Sequence, residues 1–372
     1  MEEYLVRRID QGDTKRMGET IRRTSSAGTQ LSCFEDFPHE LLDVAACDLW
    51  RHLPGPSLFS LPGRDKRPLF VTVLLHGNEN TGWSAIQELL RQHQGRDLPR
   101  RLLVFVGNID AAKADVRTLD NQTDYNRTWP GTRYPEAPEA ELMRQIVDLV
   151  AAERPFASVD IHNNSGNNPH YGCVNHLGEN YLHLARLFSR TVVFFTRPVG
   201  VQSAAMGAVC PAVTLECGVP GSRSATAHAA QVLDAALSLD HFPEHPVPAP
   251  DLDLLQTAII LRVPPDASFT YDGSDADFRF ASNIDRLNFS ELEAGTRLGT
   301  LGGNGDRRLA VIPGGEFDAD ADSYIDYVDG EIRLAQSAIP AMLTLDPRAV
   351  RLDCLGYLMH RIDRSGRRIA GS

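Results

Sequence analysis

The sequence predicts an α/β protein in which a sheet carries helices on both faces, followed by a smaller β-rich domain. Three observations predict it. From Pro68 to about residue 240, short apolar runs alternate with stretches of helical periodicity. Pro243–Pro250 (Pro-Glu-His-Pro-Val-Pro-Ala-Pro) has four Pro in eight residues, a stiff stretch that cannot continue a helix and reads as a linker. Beyond it the texture changes to short apolar runs broken by Gly, Asp and Pro. These boundaries divide the chain into an N-terminal extension (1–60), a main α/β domain (61–245) and a C-terminal β-rich domain (251–372).

Residues 1–60 are weakly patterned, with amphipathic stretches near Met17–Thr24 and Glu40–Arg51 that read as helices. Leu69–Leu75, Leu102–Val106, Phe156–Ile161, Val192–Phe195 and Ala212–Leu215 read as buried strands, being short and rich in β-branched and aromatic residues. Between them, Gly82–His93 places Trp83, Ile86, Leu89 and Leu90 on one helical face, and Glu139–Glu153 places Leu142, Ile146, Val147 and Val150 together. Tyr181–Ser189 and Ala225–Leu239 follow the same period. In the last third, Ala258–Val263, Arg308–Ile312, Tyr324–Val328 and Ala341–Leu345 read as strands, and the Gly-rich Gly295–Gly303 as turns rather than a phosphate loop, since no helix pattern follows it.

The chain has 372 residues, 42% hydrophobic and 23% charged, with a net charge of −12. Lys and Arg form no dense run, which disfavours nucleic acid or an anionic membrane as partner. The Arg-rich tail (Arg361, Arg364, Arg367, Arg368) reads as a solvated end. No signal peptide or membrane span is visible, and six scattered Cys without a Cys-x-x-Cys pair read as reduced thiols, so the expected location is cytoplasmic. Cys173 and Cys217 read as small buried fillers. The oligomeric state, including a homo-oligomer, is left open.

Two strand ends carry the chemistry. Val71-Thr-Val-Leu-Leu-His76-Gly77-Asn78-Glu79 is an apolar strand ending in a His and, three residues on, a Glu; Ser158-Val-Asp160-Ile-His162-Asn163 is another ending in a His. Two His and one carboxylate are the protein ligands of an open catalytic zinc site, whose fourth position is left for water. Gly77 suits the tight turn such a pair needs. Asp160, two before His162 on a strand, shares its face and suits a partner that sets the imidazole tautomer. Glu216 closes the apolar strand Val213-Thr-Leu and reads either as a general base or as an ion-paired strand end. Arg127, in Asp124-Tyr125-Asn126-Arg127, offers a planar fork that matches a carboxylate, and Arg117 stands ten positions earlier.

In this order the four motifs resemble the zinc carboxypeptidase superfamily, and most of all its aspartoacylase and succinylglutamate desuccinylase branch. The resemblance covers roughly residues 66–240 and, more loosely, the C-terminal domain. It implies a three-layer α/β/α sandwich with a mixed sheet, one zinc ion held by His76, Glu79 and His162, and Glu216 as base. It further implies Asn126, Arg127 and Asn163 as substrate-binding residues and Arg117 as the group that polarises the scissile carbonyl, although two extra residues separate Arg117 from Asn-Arg. A further substrate-binding Arg is replaced by Met206, for which Arg197 is a candidate substitute. Tyr271, Tyr324 and Tyr327 are candidates for an aromatic contribution from the second domain.

The activity this implies is zinc-dependent hydrolysis of an amide bond in a small carboxylate-bearing substrate such as an N-acyl amino acid. The alternatives are a metallo-carboxypeptidase acting on peptides or cell-wall peptides and, from another class, a non-catalytic zinc-binding recognition module. The presence of Glu216 argues against the last. No Gly-x-Ser-x-Gly elbow supports a serine hydrolase.

Overall fold

A computed structural model of the chain describes residues 30–303, 305–315 and 321–369. The predicted helix near Met17–Thr24 lies outside the described residues. The chain divides into two compact units. Among the described residues, the first comprises 30–163, 174–188 and 199–246, and the second 164–173, 189–198 and those from 247 to 369.

The strands of the first unit are β1 (Ser32–Phe34), β2 (Ser57–Leu61), β3 (Gly63–Val73), β4 (Leu98–Val106), β5 (Ala157–His162) and, after two strands of the second unit (β6, Tyr171–Val174; β7, Thr191–Phe194), β8 (Ala212–Glu216). They lie in the order β1-β2-β4-β3-β5-β8. The pairs β3–β4, β3–β5 and β5–β8 are parallel, so the carboxyl ends of these strands share one edge; β2 runs antiparallel to β4. The apolar runs from Leu69 and Leu102 are buried throughout, as parallel strands covered on both faces must be.

The helices are α1 (Thr81–Gln92), α2 (Ile109–Ala114), α3 (Pro138–Ala152), α4 (Glu179–Arg186), α5 (Gln202–Gly207) and α6 (Arg223–Ser238). Period-two alternation along the strands assigns them to faces. Phe70, Leu103 and Phe105 share a core with Leu142, Met143 and Ile146 of α3 and Met206 of α5. On the opposite face α1 approaches so closely that a Cβ on Gly82 would lie 2.9 Å from Val73 Cγ1, and α1 packs beside α6. The result is helix, sheet and helix layers, as predicted. Pro138 at the first position of α3 and the Ser222 hydroxyl accepting from Ala225 N (3.3 Å) at the start of α6 account for where those helices begin.

Two local expectations differ. Glu40–Arg51 is not one helix but two 3₁₀ segments, His39–Asp43 and Ala46–Arg51, because Val44 and Ala45 are extended between them. Leu90 is only partly buried, while Ala85 takes its place on the inner face of α1.

In the second unit, β6 and β7 continue to β9 (Asp253–Arg262), with β10 (Phe269–Thr270), β11 (Phe278–Phe280), β12 (Arg297–Leu301), β13 (Ala310–Pro313), β14 (Ile325–Val328), β15 (Glu331–Leu334), β16 (Ile339–Ala341), α7 (Pro347–Leu352) and β17 (Gly356–Arg361) following. Its sheet strands are hydrogen-bonded in the order β6-β7-β9-β17-β16, with β13 also paired to β9; a separate five-stranded sheet has the order β10-β11-β12-β15-β14. Ile259, Leu261 and Leu358 of β9 and β17 meet Phe278, Phe280, Leu298 and Ile332 of the five-stranded sheet in one core. The stretch from Gly295 to Gly303 is mostly strand β12 rather than turns, and Arg361 is no solvated end, since within β17 it pairs with Asp253 (2.8 Å). Among the described residues no helix is long and apolar enough to cross a membrane.

Candidate active site

The chain leaves β3 through a sharp turn. Leu74, fully buried, adopts the left-handed conformation (φ 55°), which a branched side chain rarely tolerates. Its carbonyl accepts from Asn108 N (2.6 Å), and His76 O accepts from Glu79 N (3.2 Å), so His76 and Glu79 face inward together. Gly77 serves a different purpose from the one predicted. Its φ is not positive; a Cβ there would lie 2.1 Å from the carbonyl carbon of Ala111, so the backbone must pass directly against α2.

Sheet register places the other groups. In the β5–β8 ladder Asp160 pairs with Thr214 and His162 with Glu216, so Glu216 emerges beside His162 on the same face. Cys217 N donates to His162 O (2.9 Å), locking the two strand ends together. Asn163 donates its backbone N–H to Glu79 Oε2 (3.0 Å), while its side chain accepts from Thr81 N (3.2 Å) and donates to Gly218 O (2.8 Å).

His76, Glu79 and His162 are all buried, and one potential ligand atom from each lies within 4.8 Å of the others. Both imidazoles present Nδ1 to Glu79, His76 at 2.8 Å from Oε1 and His162 at 2.7 Å from Oε2. The far side of each ring is also held by a carboxylate. His76 Nε2 is 3.0 Å from Asp124 Oδ1, and His162 Nε2 is 2.8 Å from Asp160 Oδ2. A carboxylate on Nε2 keeps the proton there and leaves Nδ1 as a lone-pair donor, the arrangement metal-bound histidines use. Two imidazole nitrogens and a carboxylate are also the donor set of catalytic zinc sites, so these residues fit the ion.

Electrostatics agree with a site built for a cation. Burial alone would raise the Glu79 carboxyl, but the two imidazoles outweigh it and hold the group far below the usual carboxylate range. For His162, burial opposes a positive charge, yet Asp160 and Glu79 outweigh it and push its pKa well above that of a free imidazole.

Arg117 and Asp124 complete the cluster. Arg117 donates to Asp124 Oδ2 through Nε (3.1 Å) and Nη2 (3.0 Å), and its Nη1 is 3.7 Å from Glu79 Oε1. Burial would raise the Asp124 carboxyl, but Arg117 and His76 overcome it and hold it well below the usual range. Its Oδ1 also accepts from Asn126 N (2.7 Å). The two additional residues in this loop therefore do not carry Arg117 away from the site. Asn126 accepts from Gln202 N (2.9 Å), with its Nδ2 3.2 Å from His162 Nε2, and Arg127 donates to Asn126 O (2.8 Å). Asp124 is a site residue that the sequence does not mark, because a loop carboxylate has no periodicity.

Met206 is fully buried in the α3–α5 core, and Arg197 belongs to the second unit. Cys173 and Cys217 are buried, and burial, with the Glu216 and Glu79 carboxylates adding, raises the Cys217 thiol. Tyr324 bonds His360 Nε2 (2.7 Å), Tyr327 accepts from Leu309 N (2.8 Å), and Tyr271 packs on Phe269 and Phe280 within the second unit.

Strand-end His and Glu side chains on an α/β/α layer make this the candidate site of a hydrolase-like α/β domain. Residues 66–239 match the family model described as the Succinylglutamate desuccinylase/Aspartoacylase catalytic domain, and over that segment the chain resembles this hydrolase family. Similar solved structures include the succinylglutamate desuccinylase from Chromobacterium violaceum (20% identity, 81% of this chain and 86% of that one, TM-score 0.51). A succinylglutamate desuccinylase/aspartoacylase from Rhodobacter sphaeroides (14%, 82% and 88%, TM-score 0.54) is another. A third is the product-bound ectoine utilization protein EutE (DoeB) from Ruegeria pomeroyi (16%, 82% and 84%, TM-score 0.50). At these identities the likeness is one of fold. No curated protein matches the chain in sequence.

Proposed function

We propose that the protein is a zinc-dependent hydrolase that cleaves the amide bond of an N-acyl amino acid or a similarly small, carboxylate-bearing substrate. The observation that carries this reading is the placement of two imidazole Nδ1 atoms on one buried carboxylate, with each opposite Nε2 held by a second carboxylate. The match of residues 66–239 to a desuccinylase/aspartoacylase catalytic domain supports the reaction class.

In this reading His76, Glu79 and His162 hold the ion. A bound zinc supplies a Lewis acid that lowers the pKa of a water molecule to ~7 and polarises the carbonyl. Glu216, beside His162 at the strand edge, takes one proton from the attacking water and delivers it to the departing nitrogen; the amide becomes a carboxylic acid and an amine, and the acid then loses its remaining proton to solvent. Arg117 faces the carbonyl oxygen as charge develops there. Arg127 holds the substrate carboxylate and supplies position more than chemistry. Asn126 and Asn163 bind the substrate beside Arg127, and are themselves held in place: Asn126 accepts from Gln202 N, and Asn163 donates to the Glu79 carboxylate and to Gly218 O.

The test is hydrolysis of a mixed panel, N-acyl amino acids beside short peptides, by zinc-loaded and chelator-treated protein. Turnover of the acyl amino acids that is lost on chelation and restored by zinc is the expected result. Cleavage of peptides alone would move the protein to the carboxypeptidases, and turnover unaffected by chelation would refute the metal centre.

A further inference from the structure

We propose that Thr72 is a positioning residue of the metal centre: its hydroxyl orients the Asp160 carboxylate, which in turn sets the direction in which His162 presents Nδ1. This rests on the reading of His76, Glu79 and His162 as a metal site.

Thr72 and Asp160 are direct partners across the parallel β3–β5 ladder, and both are fully buried. The Thr72 hydroxyl donates to Asp160 Oδ1, while Asp160 Oδ2 lies 2.8 Å from His162 Nε2. The two oxygens of one carboxylate are thus divided between a hydroxyl on one strand and a ligand imidazole on the next. Strand period two aims Thr72, Asp160 and His162 at the same face, so the chain of contacts needs no distortion. Threonine is the side chain suited to the task. Its β-branch restricts χ1, which presets the hydroxyl direction, whereas Ser rotates more freely and Val offers no donor. Without the hydroxyl, Asp160 keeps its place in the strand but gains a rotational choice: either oxygen, or neither, can face His162. A ligand held by a rotating carboxylate is a less prepared ligand.

A hydroxyl in an otherwise apolar strand end could also serve folding alone, so the readout is metal affinity rather than stability. Apoprotein is titrated with zinc against a competing chelator for the wild type, Thr72→Val, Thr72→Ser and Asp160→Ala, and for Thr72→Val in the Asp160→Ala background. Thr72→Val is expected to weaken zinc binding about tenfold, at the lower end of what removing an outer partner of a ligand costs. Thr72→Ser should stay within about threefold of wild type because the donor is kept. In the Asp160→Ala background Thr72→Val should add almost nothing, since the hydroxyl acts through that carboxylate. A folded Thr72→Val protein with wild-type affinity, or an equal loss in both backgrounds, would overturn the proposal. Should the valine variant not fold, a Thr72→Ser protein that folds and loses zinc tenfold overturns it as well. A wild type that binds no zinc in the same titration would instead defeat the metal-site reading itself.

Discussion

Asp124 is the residue whose replacement tests most of the site at once. Its two oxygens divide their duties, with Oδ1 serving His76 Nε2 (3.0 Å) and Asn126 N (2.7 Å), and Oδ2 taking both Arg117 contacts (3.1 and 3.0 Å). Asp124→Asn keeps volume and an acceptor for Oδ1's partners but turns an NH₂ toward the guanidinium, donor against donor. Hydrogen bonds to charged groups are worth about 1.5–3 kcal/mol each, and Arg117 retains Glu79 nearby, so about 2–3 kcal/mol of positioning should be lost. At 1.36 kcal/mol per factor of ten, kcat/KM should fall roughly 30–150-fold. The assay is steady-state hydrolysis of the best acyl amino acid, with zinc content measured alongside. Since His76 keeps its acceptor, the metal should remain. In an Arg117→Met background the same substitution should cost much less, because its main partner is already gone. Equal losses in both backgrounds would refute the argument that Asp124 acts through Arg117.

Glu216→Gln should retain zinc yet lose about 10²–10⁴ in turnover, the usual worth of general acid–base catalysis; near-full activity would remove Glu216 from its role. Gly77→Ala forces a Cβ to within 2.1 Å of the Ala111 carbonyl carbon, so α2 or the His76 turn must shift. A loss of about 1–3 kcal/mol in unfolding free energy, together with weaker zinc binding, is expected from calorimetry and titration. His360 supplies a pH dependence. Burial, with Arg368 adding, pushes its pKa from 6.5 down to about 4, so the folded state binds fewer protons than the unfolded one between these values. Its contribution is therefore complete above about pH 6.5 and is lost as pH falls toward 4, about 3 kcal/mol in all. Urea midpoints at pH 7.5 and 4.5 should show this loss, and His360→Gln should flatten it; an unchanged slope in the variant would assign the effect to other groups.

Much of this protein is written in local pattern. Alternating apolar runs and helical stripes placed β3, β4, β5, β8, α1, α3, α4 and α6 within a few residues, because burial on both faces of a parallel sheet demands continuous apolar runs and burial on one face of a helix demands a 3.6-residue period. His76, Glu79, His162 and Glu216 could be picked out as candidates because polar residues that close apolar strands stand out, and a His-x-x-Glu pair is a local signal. The short β1, β2 and β10, and the split of Glu40–Arg51 into two 3₁₀ segments, were not, since two- to six-residue elements depend on neighbours distant in sequence.

What only the tertiary structure decided is which groups lie behind His76 and His162. Asp124 is 48 residues from His76, and Thr72 is 88 from Asp160, so no sequence period links either pair. Strand register and loop closure bring them together. The same holds for Gly77, whose need for a missing side chain comes from the backbone of α2 rather than from its own conformation. The sequence by itself determined which residue types could bind a cation and where strands would end. The order of strands in the sheet determined that these ends share one edge, where the Nδ1 atoms converge on Glu79.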